Sequence, residues 1–289
     1  MNILLLGSDG QLGSDIVKTS RAHPSFRIIP WTRADVDVTN YEALRDKLAG
    51  ESFDYLINCT SYNNTDQAEA EAVTAFSLNA LAVKEMALMC QLKKARFVHI
   101  STDYVFGGAH DGTPLKESDL PAPLNVYGAS KLVGESLARA VHDDVLIFRV
   151  ASLFGVKGAR GKGGNFVETM IRVGREKGKI RVVSDQIMSP TSTVSVAEAL
   201  MKSITLRIPA GIYHAVNSGS ASWYDFAKQI IERAGVSATV EPMPAREYPS
   251  IAMRPAYSVL DNSKLSNLIG EMPSWMDALD DYLREKHQL

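Results

Sequence analysis

A glycine-rich turn directly after a short apolar run constrains the fold of this chain more than any other feature. The run covers residues 2–6, and Gly7, Gly10 and Gly13 follow it with GxxGxxG spacing. In such a turn one glycine permits the tight bend, another lets a diphosphate approach the backbone, and the last allows close helix packing. The helix N-terminus then attracts the anion. The segment predicts a dinucleotide site, with a plain glycine-rich turn as the alternative.

Short apolar runs and amphipathic stretches alternate through the first half of the chain. Strands are predicted at residues 2–6, 27–31, 54–58, 96–101 and 145–150, and helices at residues 11–21, 41–49, 68–92 and 127–141. This alternation predicts an α/β fold of the Rossmann type, in which helices cover both faces of a doubly wound parallel sheet.

The chain changes character after residue 150. We interpret residues 1–150 as an NAD(P)-binding Rossmann domain and residues 151–289 mainly as a smaller C-terminal substrate-binding lobe, some segments of which return to the sheet. Residues 155–164 are predicted to form a loop, residues 223–234 and 275–286 helices, and residues 241–255 an irregular stretch. The last helix carries Trp275, Leu279 and Leu283 on one face, which either caps the core or packs on a second subunit in a homodimer.

The composition of the chain excludes several classes of protein. Its net charge is −2, from 31 basic and 33 acidic residues, so nothing favours non-specific binding of nucleic acid. Cys59 and Cys90 form no CxxC pair, which argues against a disulfide framework or a zinc site. No uninterrupted apolar stretch reaches the length of a membrane span, and the N-terminus lacks a basic signal region. We expect a cytoplasmic protein that binds no membrane, nucleic acid or required metal.

The residues after the second predicted strand bear on the choice of cofactor. Folds of this type that prefer NAD usually place an acidic residue there, on the ribose hydroxyl. Here the strand ends in Trp31, Thr32 and Arg33, and an arginine pairs well with a 2′-phosphate. The pattern favours NADPH over NADH, while a solvated surface role for Arg33 stays open.

Tyr127 and Lys131 form the most informative pair of residues. They lie four positions apart on a predicted helix and therefore share a face. A free tyrosine has a pKa of about 10, and a nearby ammonium favours the phenolate and lowers that pKa. Tyr127 would then donate a proton to the oxygen of a carbonyl that receives a hydride. For the pair alone, an ordinary surface tyrosine and lysine is the alternative.

A hydroxyl near the end of the fourth predicted strand supports the catalytic interpretation. Thr102 follows the strand at residues 96–101, where open α/β sheets bind their ligands. Its hydroxyl is placed to hydrogen-bond and polarise a substrate carbonyl. Taken alone, Thr102 would more often be a turn or cap residue. Together with the glycine turn and the Tyr127/Lys131 pair, it indicates a reductase.

These segments resemble the dTDP-4-dehydrorhamnose reductase family, a group of extended short-chain dehydrogenases. The resemblance runs over nearly the whole chain. It is carried by GxxGQxG at residues 7–13, STDYVF at 101–106, YGxSK at 127–131, NF at 165–166, DQxxxPT at 185–191, GxYH at 211–214, WYxFA at 223–227 and RP at 254–255.

The resemblance implies reduction, by NADPH or NADH, of the 4-keto group of a nucleotide-linked deoxysugar, dTDP-4-dehydro-L-rhamnose, to dTDP-L-rhamnose. It implies that the catalytic residues are Thr102, Tyr127 and Lys131. With the glycine turn and Arg33, it implies a cofactor site formed by Gly7, Gly10, Gln11, Leu12, Gly13, Arg33, Asp37, Val38, Thr60, Ser61 and Tyr62. The substrate residues on this interpretation are Asp103, Tyr104, Ser152, Asn165 and Arg254, and a salt bridge at the rim of the site is the alternative for Arg254.

Two departures from the family pattern leave the sugar open. Where the family usually has a tryptophan after the fifth strand, this chain has Ser152, and residues 58–66 differ from the usual NAAAYTAVD. Two further functions therefore stay open: a catalytically silent, nucleotide-binding regulatory subunit of the same fold, or another nucleotide-sugar reductase or epimerase.

Overall fold

The central element of the fold is a parallel sheet of six strands. The computed structural model describes residues 1–108, 110–158 and 164–286. Its strands are β1 Asn2–Leu6, β2 Arg27–Trp31, β3 Tyr55–Asn58, β4 Arg96–Thr102, β5 Val145–Val150, β6 Leu153–Phe154, β7 Lys179–Val183, β8 Ile187–Met188, β9 Thr191–Ser192, β10 Gly211–His214, β11 Ala221–Ser222 and β12 Thr239–Met243. The main sheet has the order β10-β5-β4-β3-β1-β2, and each neighbouring pair is parallel.

Helices cover both faces of this sheet, and a further group of helices packs together outside it. They are α1 Gln11–Ser20, α2 Tyr41–Gly50, α3 Thr65–Ala70, α4 Ala72–Phe76, α5 Ala82–Lys93, α6 Val126–Val141, α7 Phe166–Lys177, α8 Thr193–Thr205, α9 Trp223–Arg233, α10 Ser263–Ile269 and α11 Trp275–Glu285. A π-helical turn, Ser77–Leu81, joins α4 to α5, and short 3-10 turns lie at Asp103–Val105 and Ala245–Glu247.

The alternation of side chains along each strand explains why helices cover both faces of the sheet. In β1, Ile3 and Leu5 belong to the apolar core that α1 and α8 complete. Leu4 and Leu6 point to the opposite core, formed with α2, α5 and α6. Successive side chains of a strand face opposite sides, so a continuous apolar run needs helices on both. The predicted doubly wound fold is confirmed.

A third apolar core lies outside the main sheet. It joins α7, α9 and α11 to β7 and includes Phe154, Phe226 and Trp275. Leu279 and Leu283 of α11 are buried in this core, so the apolar stripe of the last helix packs within the chain. From the same half of the chain, β10 joins the main sheet and α8 packs on α1. The division at residue 150 stays a prediction, and residues 159–163 of the predicted loop lie outside the described residues.

Two local predictions were wrong. The single helix predicted over residues 68–92 is broken at Glu71, between α3 and α4, and contains the π-helical turn Ser77–Leu81. At this turn α6 packs so closely that a Cβ on Gly134 would lie 2.1 Å from the carbonyl oxygen of Asn79. The stretch predicted to be irregular contains β12, which pairs in parallel with β7 despite Pro242. Proline is tolerated in a strand at the edge of a sheet.

One helical segment of the described residues, Ala72–Lys93, is long and apolar enough by length and composition to cross a membrane. Half of its apolar window is buried inside the protein. Buried core helices have the same length and composition.

Candidate active site

The glycine turn places an open helix N-terminus beside the end of β1. Gly7 has a left-handed backbone, with φ of 75°, and its N–H donates to the carbonyl oxygen of Trp31 at 2.9 Å. A Cβ on Gly13 would lie 2.2 Å from the carbonyl oxygen of Gly7. Gly10 is the N-cap of α1 and brings no side chain to the first turn. These features suit a diphosphate at the backbone N–H groups.

The two residues that follow Gly10 have different environments. Gln11 keeps its side-chain oxygen Oε1 buried without a hydrogen-bond partner, which marks an unmet polar group close to the turn. Leu12 is 6% exposed and packs into the core beneath the sheet. Its side chain is therefore turned away from the predicted cofactor site, and only its backbone lies at the turn.

Arg33 lies at the outer end of the same edge, in a surface cleft lined with Asp9, Thr32 and Ala34. Its side chain is 82% exposed and its Nη2 lies 3.1 Å from Oδ2 of Asp37. Hydrogen bonds from Thr39, and then from Arg33, hold the pKa of Asp37 below its usual range. A phosphate could reach the exposed guanidinium, as predicted for NADPH.

Val38 and the segment after β3 complete the predicted cofactor residues. Val38 is buried in the core with α2, so its side chain does not line the surface. Thr60 donates from its N–H and its hydroxyl to Oδ1 of Asn58, at 2.9 and 2.6 Å. Ser61 donates to Oδ1 of Asn79 at 3.2 Å, and the N–H of Tyr62 donates to the same oxygen at 2.8 Å. This segment adjoins the glycine turn, because a Cβ on Gly7 would lie 3.1 Å from the carbonyl carbon of Cys59.

Helix α6 delivers Tyr127 to the end of β4. Asn125 caps the helix by accepting from the N–H of Gly128 at 2.8 Å. Gly128 is needed because a Cβ there would lie 2.1 Å from the carbonyl oxygen of Tyr104. The rings of Tyr104 and Tyr127 pack edge to face, with centroids 5.9 Å apart. The predicted residues Thr102, Tyr104 and Tyr127 are thus brought together.

The protonation of Tyr127 differs from the prediction. Burial raises the pKa of its phenol to about 12, and hydrogen bonds with Thr102 and Ser61 only partly oppose this effect. At neutral pH the hydroxyl stays protonated, which is the form that a proton donor requires. The proximity of Ser61 to the phenol was not anticipated.

Lys131 makes its direct contacts with groups other than the phenol of Tyr127. Its Nζ donates to the carbonyl oxygen of Ile100 at 2.5 Å and lies 3.2 Å from Nε2 of His99. Among the described residues, no hydrogen bond joins this amine to the phenol. Burial lowers the pKa of Lys131 to about 8. The phenol of Tyr127 is therefore less acidic than expected in this structure, because burial dominates its pKa. The effect of Lys131 on the phenolate stays a prediction.

A buried ion pair supports α6 one turn further on. Arg149 of β5 donates from Nε and Nη2 to the two oxygens of Glu135, at 2.9 and 2.7 Å. Ser101 donates to Glu135 at 2.5 Å. Both charged side chains are almost fully buried. This network fixes the helix that carries Tyr127 against two neighbouring strands.

Of the predicted substrate residues, Asp103 and Ser152 lie at the carboxyl edge of the sheet. Asp103 is 2% exposed and accepts from Ser258 at 2.6 Å and from Thr102 at 3.1 Å. Burial raises the pKa of Asp103 to about 6. These contacts make Asp103 a link to the C-terminal segment, and its role at the sugar stays a prediction. Ser152 has a left-handed backbone, with φ of 42°, a strained conformation that is often found at functional sites.

Asn165 and Arg254 are engaged by other groups. Asn165 caps α7 and donates to the carbonyl oxygen of Gly155 at 2.8 Å and to the hydroxyl of Tyr282 at 3.0 Å. Its amide has no hydrogen left for a diphosphate, so that assignment has no support from the geometry. Arg254 pairs with Asp66 at 3.3 Å, which is the salt bridge given above as the alternative.

Sequence reasoning missed three polar residues beside the site. Asn79 is fully buried and bonds to Ser130 and to the backbone of Tyr62. His99 is fully buried and contacts Lys131. Ser258 bonds to Asp103. One signal was present: His99 and Ser101 occupy alternate positions of β4 and share a face, which predicts polar partners on the helix that covers it.

The parallel sheet, the glycine turn and the helix that carries Tyr127 and Lys131 define an extended short-chain dehydrogenase. Residues 1–288 match the family described as RmlD substrate binding domain. The chain belongs to this family, and its predicted resemblance to the dTDP-4-dehydrorhamnose reductases is confirmed.

Individual relatives agree with this assignment. The spore coat polysaccharide biosynthesis protein SpsK of Bacillus subtilis (strain 168) is 36% identical, with 98% of this chain and 97% of the relative covered. The dTDP-4-dehydrorhamnose reductase of Mycolicibacterium smegmatis is 34% identical, with 96% and 84% covered. The crystal structure of dTDP-4-dehydrorhamnose reductase from Bacillus anthracis str. Ames in complex with NADP is 35% identical, has a TM-score of 0.92, and covers 98% of this chain and 99% of that one.

Proposed function

We propose that this protein is an NAD(P)H-dependent reductase of the 4-keto group of a nucleotide-linked deoxysugar, dTDP-4-dehydro-L-rhamnose. The observation that carries the proposal is the position of the Tyr127 phenol, which lies beside the hydroxyl of Thr102 at the edge of the sheet where the glycine turn also opens. Relatives that bear the name dTDP-4-dehydrorhamnose reductase, one of them in complex with NADP, support the substrate and the cofactor.

The residues of the glycine turn fit the diphosphate of the cofactor. The N–H groups at the start of α1 face an edge with no side chain at Gly10, and the buried oxygen of Gln11 lacks a partner that a ligand could supply. Arg33 is exposed at the outer end, where a 2′-phosphate would lie. When bound, the reduced nicotinamide supplies a hydride to the carbonyl carbon.

The residues of this chain supply the proton and its orientation. Thr102 offers a hydroxyl to the ketone oxygen and helps to polarise it. The hydroxyl of Tyr127 gives its proton to the same oxygen as that oxygen gains negative charge. The phenolate left behind regains a proton from solvent. Thr102 thus orients the ketone, and Tyr127 completes its conversion to an alcohol.

The test is a substrate panel with purified protein and NADPH. We expect loss of the absorbance of reduced nicotinamide only when dTDP-4-dehydro-L-rhamnose is added, and little with UDP- or GDP-linked ketosugars. Oxidation with a different ketosugar alone would replace the proposed substrate. No oxidation with any ketosugar, together with a stable partner in a pull-down, would favour the regulatory subunit, and cofactor retained through purification would favour an epimerase.

Gly13→Ala is expected to weaken the binding of NADPH by roughly 10- to 100-fold, because overpacking against the carbonyl of Gly7 costs about 1–3 kcal/mol. Titration calorimetry with the two proteins measures this change. Gly50→Ala is the matched control, since a Cβ at Gly50 meets nothing within 4 Å. Equal affinities of the Gly13 and Gly50 variants would place the cofactor elsewhere.

Arg33→Ala is expected to weaken the binding of NADPH by about tenfold, or about 1.4 kcal/mol, and to leave the binding of NADH unchanged. The exposed guanidinium would lose its contact with a 2′-phosphate that only NADPH carries. Arg139→Ala, at an exposed position in α6, serves as the control. An equal loss of affinity for NADPH and NADH would show that Arg33 does not bind the 2′-phosphate.

A further inference from the structure

A chain of three buried polar side chains lies beneath the active site. It begins with Asn58 at the end of β3, continues with His99 in the middle of β4 and ends with Lys131 of α6, and each of these residues is at most 1% exposed. Nδ2 of Asn58 lies 3.2 Å from Nδ1 of His99, and Nε2 of His99 lies 3.2 Å from Nζ of Lys131. The proton and hydride chemistry described above gives Asn58 and His99 no part.

The direction of the first hydrogen bond follows from Thr60. A backbone N–H can only donate, and the N–H of Thr60 lies 2.9 Å from Oδ1 of Asn58. The hydroxyl of Thr60 contacts the same oxygen at 2.6 Å. The oxygen of the Asn58 amide is therefore held at Thr60, and its nitrogen faces His99. Asn58 donates, and Nδ1 of His99 accepts.

The second hydrogen bond must then run from His99 to Lys131. A neutral imidazole that accepts at Nδ1 carries its proton on Nε2. That N–H points at Nζ of Lys131, where a neutral amine has a lone pair to accept it and an ammonium has none. The remaining contact of Nζ is donation to the carbonyl oxygen of Ile100. Doubly protonated His99 is disfavoured, because burial and Lys131 hold its pKa well below the usual value.

The other ionisable groups around Lys131 do not replace this contact. Burial raises the pKa of the Cys59 thiol, after β3, to about 12, so that group stays neutral. Glu135 lies one turn along α6 and raises the pKa of Lys131, but Arg149 of β5 binds both of its oxygens. His99 on β4 is the group in direct contact with the amine.

We propose that Asn58 and His99 are positioning residues that hold the amine of Lys131, one helical turn along α6 from Tyr127, and disfavour its ammonium form. Uptake of a solvent proton by Lys131 requires the proton of His99 to move from Nε2 to Nδ1, where it then opposes the amide N–H of Asn58. The protonation of Lys131 and the tautomer of His99 are thereby coupled. The hydrogen-bond chain is a property of the cofactor-free protein, and only its kinetic consequence rests on the proposed function.

The first test is nitrogen NMR of the cofactor-free protein labelled at histidine. At alkaline pH, where Lys131 is neutral, we expect His99 to carry its proton on Nε2, with its signals assigned by their absence from His99→Gln. His142→Gln is the control for loss of a buried histidine at the far end of α6. A proton on Nδ1 of His99 throughout the pH range would overturn the proposal.

The second test uses Asn58→Asp to reverse the direction of the hydrogen bonds from residue 58 through His99 to Lys131. A carboxylate accepts from Thr60 and also from Nδ1–H of His99, so Nε2 becomes an acceptor for the ammonium of Lys131. Since an ammonium stabilises the phenolate left at Tyr127, turnover should fall as pH rises through the pKa of Lys131. In the variant this loss should move up by about one pH unit, a tenfold change in proton affinity.

Asn40→Asp adds the same charge at an exposed helix cap and should leave the pH profile in place. A profile of Asn58→Asp that coincides with the wild type would contradict the proposal. If Asn58→Asp fails to fold, His99→Gln takes its place, because its amide oxygen can turn to the ammonium and should shift the profile in the same direction. If the wild type reduced no ketosugar, only the proposed function would be rejected. The NMR result would still decide the direction of the hydrogen bonds between Asn58, His99 and Lys131.

Discussion

Tyr127→Phe is expected to lower kcat by about 10²- to 10⁴-fold, the usual contribution of a positioned proton donor. The variant keeps the ring that packs against Tyr104 and removes only the hydroxyl near Thr102 and Ser61. Its affinity for NADPH should therefore match that of the wild type. Steady-state kinetics with the ketosugar and a separate cofactor titration measure the two quantities.

Tyr213→Phe is the matched control for this loss of a phenol. Its hydroxyl donates to the carbonyl oxygen of Pro209 at 2.8 Å, in β10 and away from α6. Removing it should cost about 1 kcal/mol of stability and leave kcat unchanged. Full turnover by the Tyr127 variant would show that another group delivers the proton, and equal loss in both variants would point to general damage.

Arg149→Leu is expected to lower the free energy of unfolding by about 3–5 kcal/mol. The substitution leaves the carboxylate of Glu135 buried without its countercharge, since its remaining donor is Ser101. Denaturant unfolding, followed by circular dichroism, measures this change in the free energy of unfolding. Because Glu135 lies one turn from Lys131 on α6, turnover should fall as well.

An exposed pair and a double variant separate charge from packing in this experiment. Arg172→Leu breaks an exposed pair with Glu176 and should cost no more than about 0.5 kcal/mol. Arg149→Leu combined with Glu135→Leu removes both buried charges and should recover much of the lost stability. If the double variant were as unstable as the single one, the loss would stem from packing around Arg149.

The fold could be predicted from the sequence because its signals are local. The apolar runs at residues 2–6, 27–31 and 145–150 coincide with β1, β2 and β5. The π-helical turn Ser77–Leu81 could not be predicted, since it lies against Gly134, which comes from a helix far along the chain. The strand β12 was missed because Glu241 and Pro242 are unusual in a strand and its pairing with β7 is long-range.

The candidate site was predictable in its residue types and less so in its electrostatics. Motif spacing brought Thr102 and Tyr127 together, and both lie where the sheet ends. Spacing says nothing about burial, which keeps the phenol protonated, or about a rival partner such as His99 for Lys131. Likewise, the NF motif identified Asn165 but could not show that helix capping and Tyr282 use its amide.

The C-terminal segment makes several hydrogen bonds to the first half of the chain, among them those of Asp103 and Asp66. Ser258 reaches Asp103 across 155 positions of sequence, and Asp66 receives both Ser250 and the N–H of Ala252 from still further away. Because α8 packs on α1 and β10 completes the main sheet, a chain emerging from the ribosome can finish neither its nucleotide-binding fold nor its catalytic site until the second half has been made. A product that is shortened before these segments is therefore expected to lose cofactor binding together with activity.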